Sequence, residues 1–247
     1  MTDTDILYLV IGAIAGGFIN GLAGFGTALF ALGFFLSVMP ALEAVAITVL
    51  ISVFSGLQGL WIVRHAIANN LRRLARFLLP AIVGIPLGVA SLKQVDVSTL
   101  KLLIAAFLIL YGGFFTLRRT LPQIDRPTPV IDCTVGFFAG ILGGAASLSG
   151  ALPTMWCSMR AWPRYETRAV LQPFNVVVLG LSAIVLAWNG AYHTQTLIYT
   201  SVALPTALIA AQVGIAVFRR LEDEVFRRLL IAVCFLSGTL LLLRELF

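Results

Sequence analysis

Charge is what this sequence has least of. Asp, Glu, Lys and Arg make up 11% of its 247 residues, against about 25% in an ordinary soluble domain. Apolar residues make up 60%, and the mean hydropathy is +0.99. A water-soluble globule is excluded on those figures. So is disorder, which needs low hydrophobicity and high net charge. Cysteine is scarce as well. Cys133, Cys157 and Cys234 lie within or at the edge of apolar segments, form no CxxC pair and have no histidine at ligand spacing. They read as small buried hydrophobes, and no metal or cofactor is expected. The 22 glycines follow no triplet period, which excludes a collagen-like chain. No Walker, HExxH or GxSxG motif occurs, so neither ATP-driven nor hydrolytic chemistry has visible machinery.

What is present is a series of runs without Asp, Glu, Lys or Arg. They are Ile6–Leu42, Ala44–Val63, Phe77–Leu92, Leu102–Leu117, Cys133–Met159, Ala169–Phe218 and Leu229–Leu243. A helix needs about 20 apolar residues to cross roughly 30 Å of hydrocarbon. The runs therefore read as membrane segments and use nearly the whole chain, which makes the lipid bilayer its first partner. The N-terminus carries acids where a signal peptide would carry Lys or Arg, so the first run is expected to belong to the mature protein. The net charge is +6, but the basic residues sit in short loops, where membrane topology explains them and nucleic acid is not needed.

The sequence repeats itself. Gly17-Phe-Ile-Asn-Gly-Leu-Ala-Gly24 matches Gly136-Phe-Phe-Ala-Gly-Ile-Leu-Gly143 at an offset of 119, and Pro40-Ala-Leu-Glu43 matches Pro163-Arg-Tyr-Glu166. Leu79-Pro80 matches Leu204-Pro205, and Leu102–Ala105 matches Leu229–Ala232. This divides the chain into a first transmembrane repeat over 1–120, a cytoplasmic linker over 121–131, and a second repeat over 132–247. Each repeat opens with a long element. Ile6–Met39 as one straight helix would measure about 50 Å, too long for a simple crossing. The stretch Asn20 to Thr27, with its three glycines, is expected to break it into arms Ile6–Ile19 and Thr27–Met39. The second copy is expected to break at Gly143-Gly144-Ala145-Ala146, between arms near Ile131–Leu142 and Ser147–Cys157.

Positive charge decides between a kinked crossing and a hairpin. If both elements are hairpins, 14 of the 17 basic residues fall on one side, leaving Lys93, Lys101 and Arg244 on the other. If both cross once, the Arg clusters divide seven against seven. The expected fold is therefore all-α and polytopic. It has two inverted repeats, each a broken re-entrant helical hairpin plus three transmembrane helices. The hairpin tips approach each other near the midplane, with the Arg clusters in the cytoplasm.

Irregular backbone at membrane depth is tolerated where it faces protein or a watery cavity. Asn20, Gly24, Gly26 and Thr27 would line the first tip; Gly143, Gly144, Ser147 and Ser149 the second. Each break also starts a helix whose free N–H groups suit an anion. Two such starts facing each other would hold one without a buried Lys or Arg. The blander reading is that the glycines only allow close helix packing. Thr48, Ser52 and Ser55 share one helix face, and Gln172 and Asn175 another, as donors to an oxyanion or as interhelical hydrogen bonds. Pro80, Pro86 and Pro205 mark kinks. Glu43, Glu166, Asp132, His65 and His193 read as solvated residues at the interfaces.

Gly16-Gly17-Phe-Ile-Asn-Gly-Leu-Ala-Gly-Phe-Gly26, followed by Pro40 and Ala44–Thr48, resembles the sulfite exporter TauE/SafE family of bacterial membrane proteins. The pattern recurs in Gly136–Gly144 followed by Pro163 and Arg168-Ala169, so the resemblance covers nearly the whole chain. There are departures. Phe25 and Thr27 interrupt the run of consecutive glycines that the family often carries, and the second copy reads Gly-Gly-Ala-Ala-Ser. The resemblance implies a secondary transporter in the bacterial inner membrane. It would export a small sulfur-containing anion, sulfite or an organosulfonate such as sulfoacetate, by alternating access. The alternative is a same-fold importer of thiosulfate or another small organic anion. A non-transporting assembly factor or intramembrane enzyme is the third reading, and no nucleophile, acid pair or metal cluster at depth supports an enzyme. A homodimer is an expectation that no residue decides.

Overall fold

Hydrocarbon offers a backbone N–H no water to bond, so apolar runs must close their hydrogen bonds within helices. The computed structural model shows this outcome. It describes residues 3–92, 97–117, 124, 126–158, 160, 162, 164–222 and eight scattered positions beyond. The expected span Leu229–Leu243 lies largely outside these, Cys234 wholly, and the linker in part. The helices are α1 (Asp3–Ala23), α2 (Thr27–Phe35), α3 (Ala41–Asn69), α4 (Leu71–Leu92), α5 (Val97–Leu117), α6 (Pro129–Ala146), α7 (Ala151–Ser158), α8 (Arg164–Trp188) and α9 (Thr194–Phe218). Six of them, α1, α3, α4, α6, α8 and α9, are long and apolar enough to cross a membrane. Among the described residues there is no strand, only an isolated bridge between Ile124 and Arg160. The chain is an all-α, multi-pass membrane protein.

Both long elements turn back on themselves. Gly12 faces Phe34 and Phe35, while Gly16 faces Thr27 and Ala31, so α2 runs antiparallel to α1. In the second element Gly143 faces Ser149, and Asp132 reaches Trp156 and Arg160, so α7 runs back along α6. The breaks lie further along the chain than the glycines suggest. α1 continues through Asn20 and Gly21 to Ala23, and α6 continues through Gly143 and Gly144 to Ala146. The turns proper are Gly24-Phe25-Gly26 and Ser147-Leu148-Ser149-Gly150. A helical glycine in lipid keeps its backbone bonds, because no competing water rewards breaking them. The first arm is accordingly about 31 Å long, a full span and not the roughly 20 Å expected of Ile6–Ile19.

The helical glycines serve packing. An added Cβ at Gly17 would lie 2.2 Å from the carbonyl oxygen of Ala207, and at Gly21 2.0 Å from that of Ala211. At Gly136 it would lie 2.1 Å from the carbonyl oxygen of Phe77, and at Gly140 2.2 Å from that of Ala81. These backbones touch directly, as small residues allow between membrane helices. Contacts advance along both partners together, so α1 packs parallel to α9 and α4 parallel to α6. Gly214 meets Phe18 as Gly84 meets Phe137. These three contacts of the first pair map onto the second by adding 119 on α1 and subtracting 130 on α9. The Leu79-Pro80 match had related α4 and α9 by 125. The glycine contacts relate them by 130. Between these two pairs α3 and α8 cross antiparallel, with Gly56 against Val176 and Gly59 against Gln172.

Candidate functional site

The two turns meet beside the middle of α3 and α8. Gly24 and Gly26 adopt left-handed backbone, with φ of 83° and 94°, which an L side chain would strain. Gly26 is the N-cap of α2, and no side chain caps it. Asn20, one turn back on α1, closes the loop. Its Nδ2 donates to Thr27 Oγ1 at 2.8 Å and to the Ser52 carbonyl at 3.2 Å, while its Oδ1 is buried without a partner. The second turn uses Ser147, also left-handed at φ 58°. The N–H groups of Ser147 and Leu148 donate to the carbonyls of Gly143 and Leu142, which ends α6. Ser147 Oγ is buried without a partner, and Ser149 Oγ donates to Asn175 Oδ1.

The residues expected at the site do not all gather. Asn20, Gly24, Gly26, Thr27 and Gln172 cluster at the first turn. Gly143, Ser147, Ser149 and Asn175 cluster at the second. The Thr48 hydroxyl donates to the Ala44 carbonyl at 2.7 Å, and that of Ser52 to the Thr48 carbonyl at 2.8 Å. Both donors are thereby spent within α3. Gly144 faces Ile85 and Val89 and belongs to the α4–α6 packing. Ser55, buried on the same helix as Ser52, has a hydroxyl without a partner. The two turns touch through an apolar contact, Phe25 against Gly150, not through two facing rows of amides.

Gln172 joins the halves. Its Nε2 donates to the Gly56 carbonyl on α3 at 3.0 Å, and its Oε1 stands against Gly24 of the first turn. That oxygen also accepts from Arg168 Nε at 3.4 Å. Arg168 is the residue that sequence reasoning misplaced. Grouped with a cytoplasmic Arg cluster, it is in fact only 6% exposed. Its Nη2 reaches the Gly21 carbonyl at 3.4 Å, and its guanidinium lies 4.2 Å from the centre of the Phe218 ring. A positive charge therefore sits beside the first break, where helix termini alone were expected to supply it. Residues 168, 172 and 175 share one helix face, and that spacing is the signal that would have found it.

Of the acids, Glu43 lies 3.5 Å from His193 and Glu166 pairs with Arg73 at 2.6 Å, both at helix starts. Asp132 departs from the solvated residue expected. It is 3% exposed and holds Arg160 at 3.0 Å and Trp156 Nε1 at 2.8 Å. Among the described residues, no group of three His, Cys, Asp or Glu is placed to hold a metal.

Comparison with known proteins agrees with this architecture. The chain is 24% identical over 203 residues to the "Probable sulfite/organosulfonate exporter TauE" of Cupriavidus necator, covering 81% of this chain and 79% of that protein. No solved structure matches. Residues 8–241 match the family model described as Sulfite exporter TauE/SafE, a family of transporters and not of enzymes, and the chain belongs to that family.

Proposed function

We propose that this protein is a secondary transporter that exports small sulfur-containing anions, sulfite or an organosulfonate, across the bacterial inner membrane by alternating access. The two hairpin turns form the binding site, and the chain is built of two inverted repeats. The glycine contacts that repeat between α1–α9 and α4–α6 support the repeats. The observation that carries the site is Arg168, a buried guanidinium beside Gly24 and Gln172 where α1, α3, α8 and the first turn converge. A guanidinium held in a buried place acts on a nearby anion through less screening than one in water. An oxyanion at the turns would lie beside it. Asn175, Ser147 and Ser55 bring the further polar groups.

Phe25 packs against Gly150 between the two turns. Passage requires Phe25 to withdraw from Gly150. Export needs no dedicated coupling group. An anion leaving an electrically negative cytoplasm gains about 2.3 kcal/mol per charge per 100 mV. The test is flux from proteoliposomes loaded with sulfite or sulfoacetate. Efflux is expected to accelerate when the lumen is made negative with a potassium gradient and valinomycin. Flux that ignores the potential and follows a pH gradient would show proton coupling instead. Uptake of thiosulfate with no efflux of sulfite or sulfonate would favour the importer.

A further inference from the structure

A second basic site lies away from the hairpin turns. Where α3 turns into α4, a cavity of about 650 Å³ opens between the two halves of the molecule. α4 contributes Arg72, Arg73 and Arg76 from its first two turns. The segment leading into α6 contributes Arg126, and the segment after α7 contributes Arg160 and Trp162. The volume falls within the range of about 300–1,000 Å³ typical of small-molecule sites.

The charges in this cavity do not cancel. Among the described residues, five guanidinium groups meet two carboxylates, Asp132 in the wall and Glu166 against Arg73, which leaves a surplus of three positive charges. Arg160 and Asp132 form the floor. Arg160 is 7% exposed, with Nη1 on the Arg126 carbonyl at 2.6 Å, Nη2 on Thr128 and Asp132, and Nε buried without a partner. Arg73 is braced over the Trp162 ring at 4.6 Å, and Arg76 stands 3.8 Å from Asp132. Arg72 and Arg126 are exposed, and no ion pair among the described residues holds either. Positive-inside topology accounts for arginines near this face but not for their convergence on one concave wall with a braced, desolvated floor.

We infer that this cavity is a binding site for a multiply charged phosphate group. A sulfonate carries one negative charge and would leave most of the surplus unanswered. A diphosphate, or a pair of phosphodiesters, answers it and matches the planar forks of several arginines. Two sources supply that chemistry: a free diphosphate, and a membrane lipid with two phosphodiesters. The cavity lies where the spans α4 and α6 begin, and Leu71 in its wall is an exposed apolar residue, so either can reach it. An occupant would tie α4 of the first half to the α6–α7 hairpin of the second. The inference does not depend on the transport reading.

The experiment uses the purified full chain in detergent. Pyrophosphate and methanesulfonate are titrated by calorimetry, and diphosphatidylglycerol is tested by native mass spectrometry against excess phosphatidylcholine. The wild type is expected to bind pyrophosphate, the diphosphate lipid, or both, while any methanesulfonate bound at the hairpin turns is expected to be unaffected by Arg72→Gln and Arg126→Gln. Arg72→Gln and Arg126→Gln, singly and together, are expected to weaken pyrophosphate or lipid binding, by about tenfold or more in the double variant, without moving the unfolding midpoint. Binding of pyrophosphate alone identifies a soluble source, and of lipid alone a membrane one. Failure of the wild type to bind either probe overturns the inference. So does undiminished pyrophosphate or lipid binding by the double variant.

Discussion

Arg168 shows how one residue changes the chemistry of a site. Glycine turns and helix starts offer an anion only partial charges. A guanidinium 3.4 Å from both Gln172 Oε1 and the Gly21 carbonyl adds a whole one at the same place. Arg168→Gln keeps most of the side-chain length and removes that charge. A hydrogen bond to a charged group is worth about 1.5–3 kcal/mol, so the variant is expected to bind sulfite or sulfoacetate roughly ten- to a hundredfold more weakly. Arg168→Lys is expected to recover part of the loss, because it restores the charge without the planar fork. Calorimetry on the purified variants measures both. Equal affinity in wild type and Arg168→Gln would remove the guanidinium from the site. The residue was legible only in part. Its charge pointed to a loop, while its spacing from Gln172 and Asn175 pointed to their helix face, and the charge won. A short hydrophobic interval before Arg168 was missing, so nothing marked it as a residue drawn into the bilayer. Thr48 differs in the opposite sense. Its position on the right face was legible, but a hydroxyl in a helix bonds the carbonyl four residues back whenever nothing better is present, as it does here to Ala44.

At the scale of helices, the charge-free runs located the six spans, with α8 and α9 sharing one run, because membrane thickness fixes their length. The hairpins were legible from charge, through the imbalance that a single crossing would have wasted. The turns were legible in part: the second arm starts at Thr27 as expected, but the first arms run on past Asn20 and Gly143, because glycine has two uses that look alike in a sequence. Gly21 and Gly140 lie inside helices and let backbones touch. Gly24 and Gly26 lie in a turn and adopt left-handed backbone. The two uses make different predictions. A Cβ at Gly21 or Gly140 meets a carbonyl oxygen of the neighbouring helix at 2.0 Å or 2.2 Å. Gly21→Ala and Gly140→Ala are therefore each expected to cost about 1–3 kcal/mol, the usual penalty for overpacking. Since their surroundings correspond contact for contact, the two costs are expected to agree. Gly180, within α8, has nothing within 4 Å of a built Cβ. Gly180→Ala is expected to be neutral or slightly stabilising, because alanine loses less backbone entropy on folding. Denaturant midpoints of the three purified variants check the set. A large loss at Gly21 with none at Gly140 would contradict the equivalence of the two helix pairs.

At the scale of the whole molecule, the helix directions compose into two opposed faces. α1 and α9 are parallel, so their first residues, near Asp3 and Thr194, lie on one face. The start of α3 joins them there: Glu43 stands by His193, and Tyr192 donates to the Ala46 carbonyl at 3.3 Å. α3 then carries the chain across, so Asn70 and the start of α4 lie on the other face. The start of α6, parallel to α4, lies beside them, and Glu166 at the start of α8 meets Arg73. The basic cavity sits on this second face, and with it most of the protein's positive charge. Loops rich in Lys and Arg stay in the cytoplasm, so the second face is expected to be cytoplasmic. The measurement is labelling of single cysteines by a membrane-impermeant maleimide, in a variant whose three native cysteines are replaced. Asn189→Cys, in the exposed turn before α9, is expected to react in intact spheroplasts. Asn69→Cys, exposed at the end of α3, is expected to react only after permeabilisation. The reverse pattern would keep the fold and invert its orientation. It would also turn the surplus of arginine toward the periplasm, where a negative-inside potential opposes the capture of a departing anion. Reaction of both sites from one side would contradict the crossing of α3 or of α8, the helices that end beside Asn69 and Asn189.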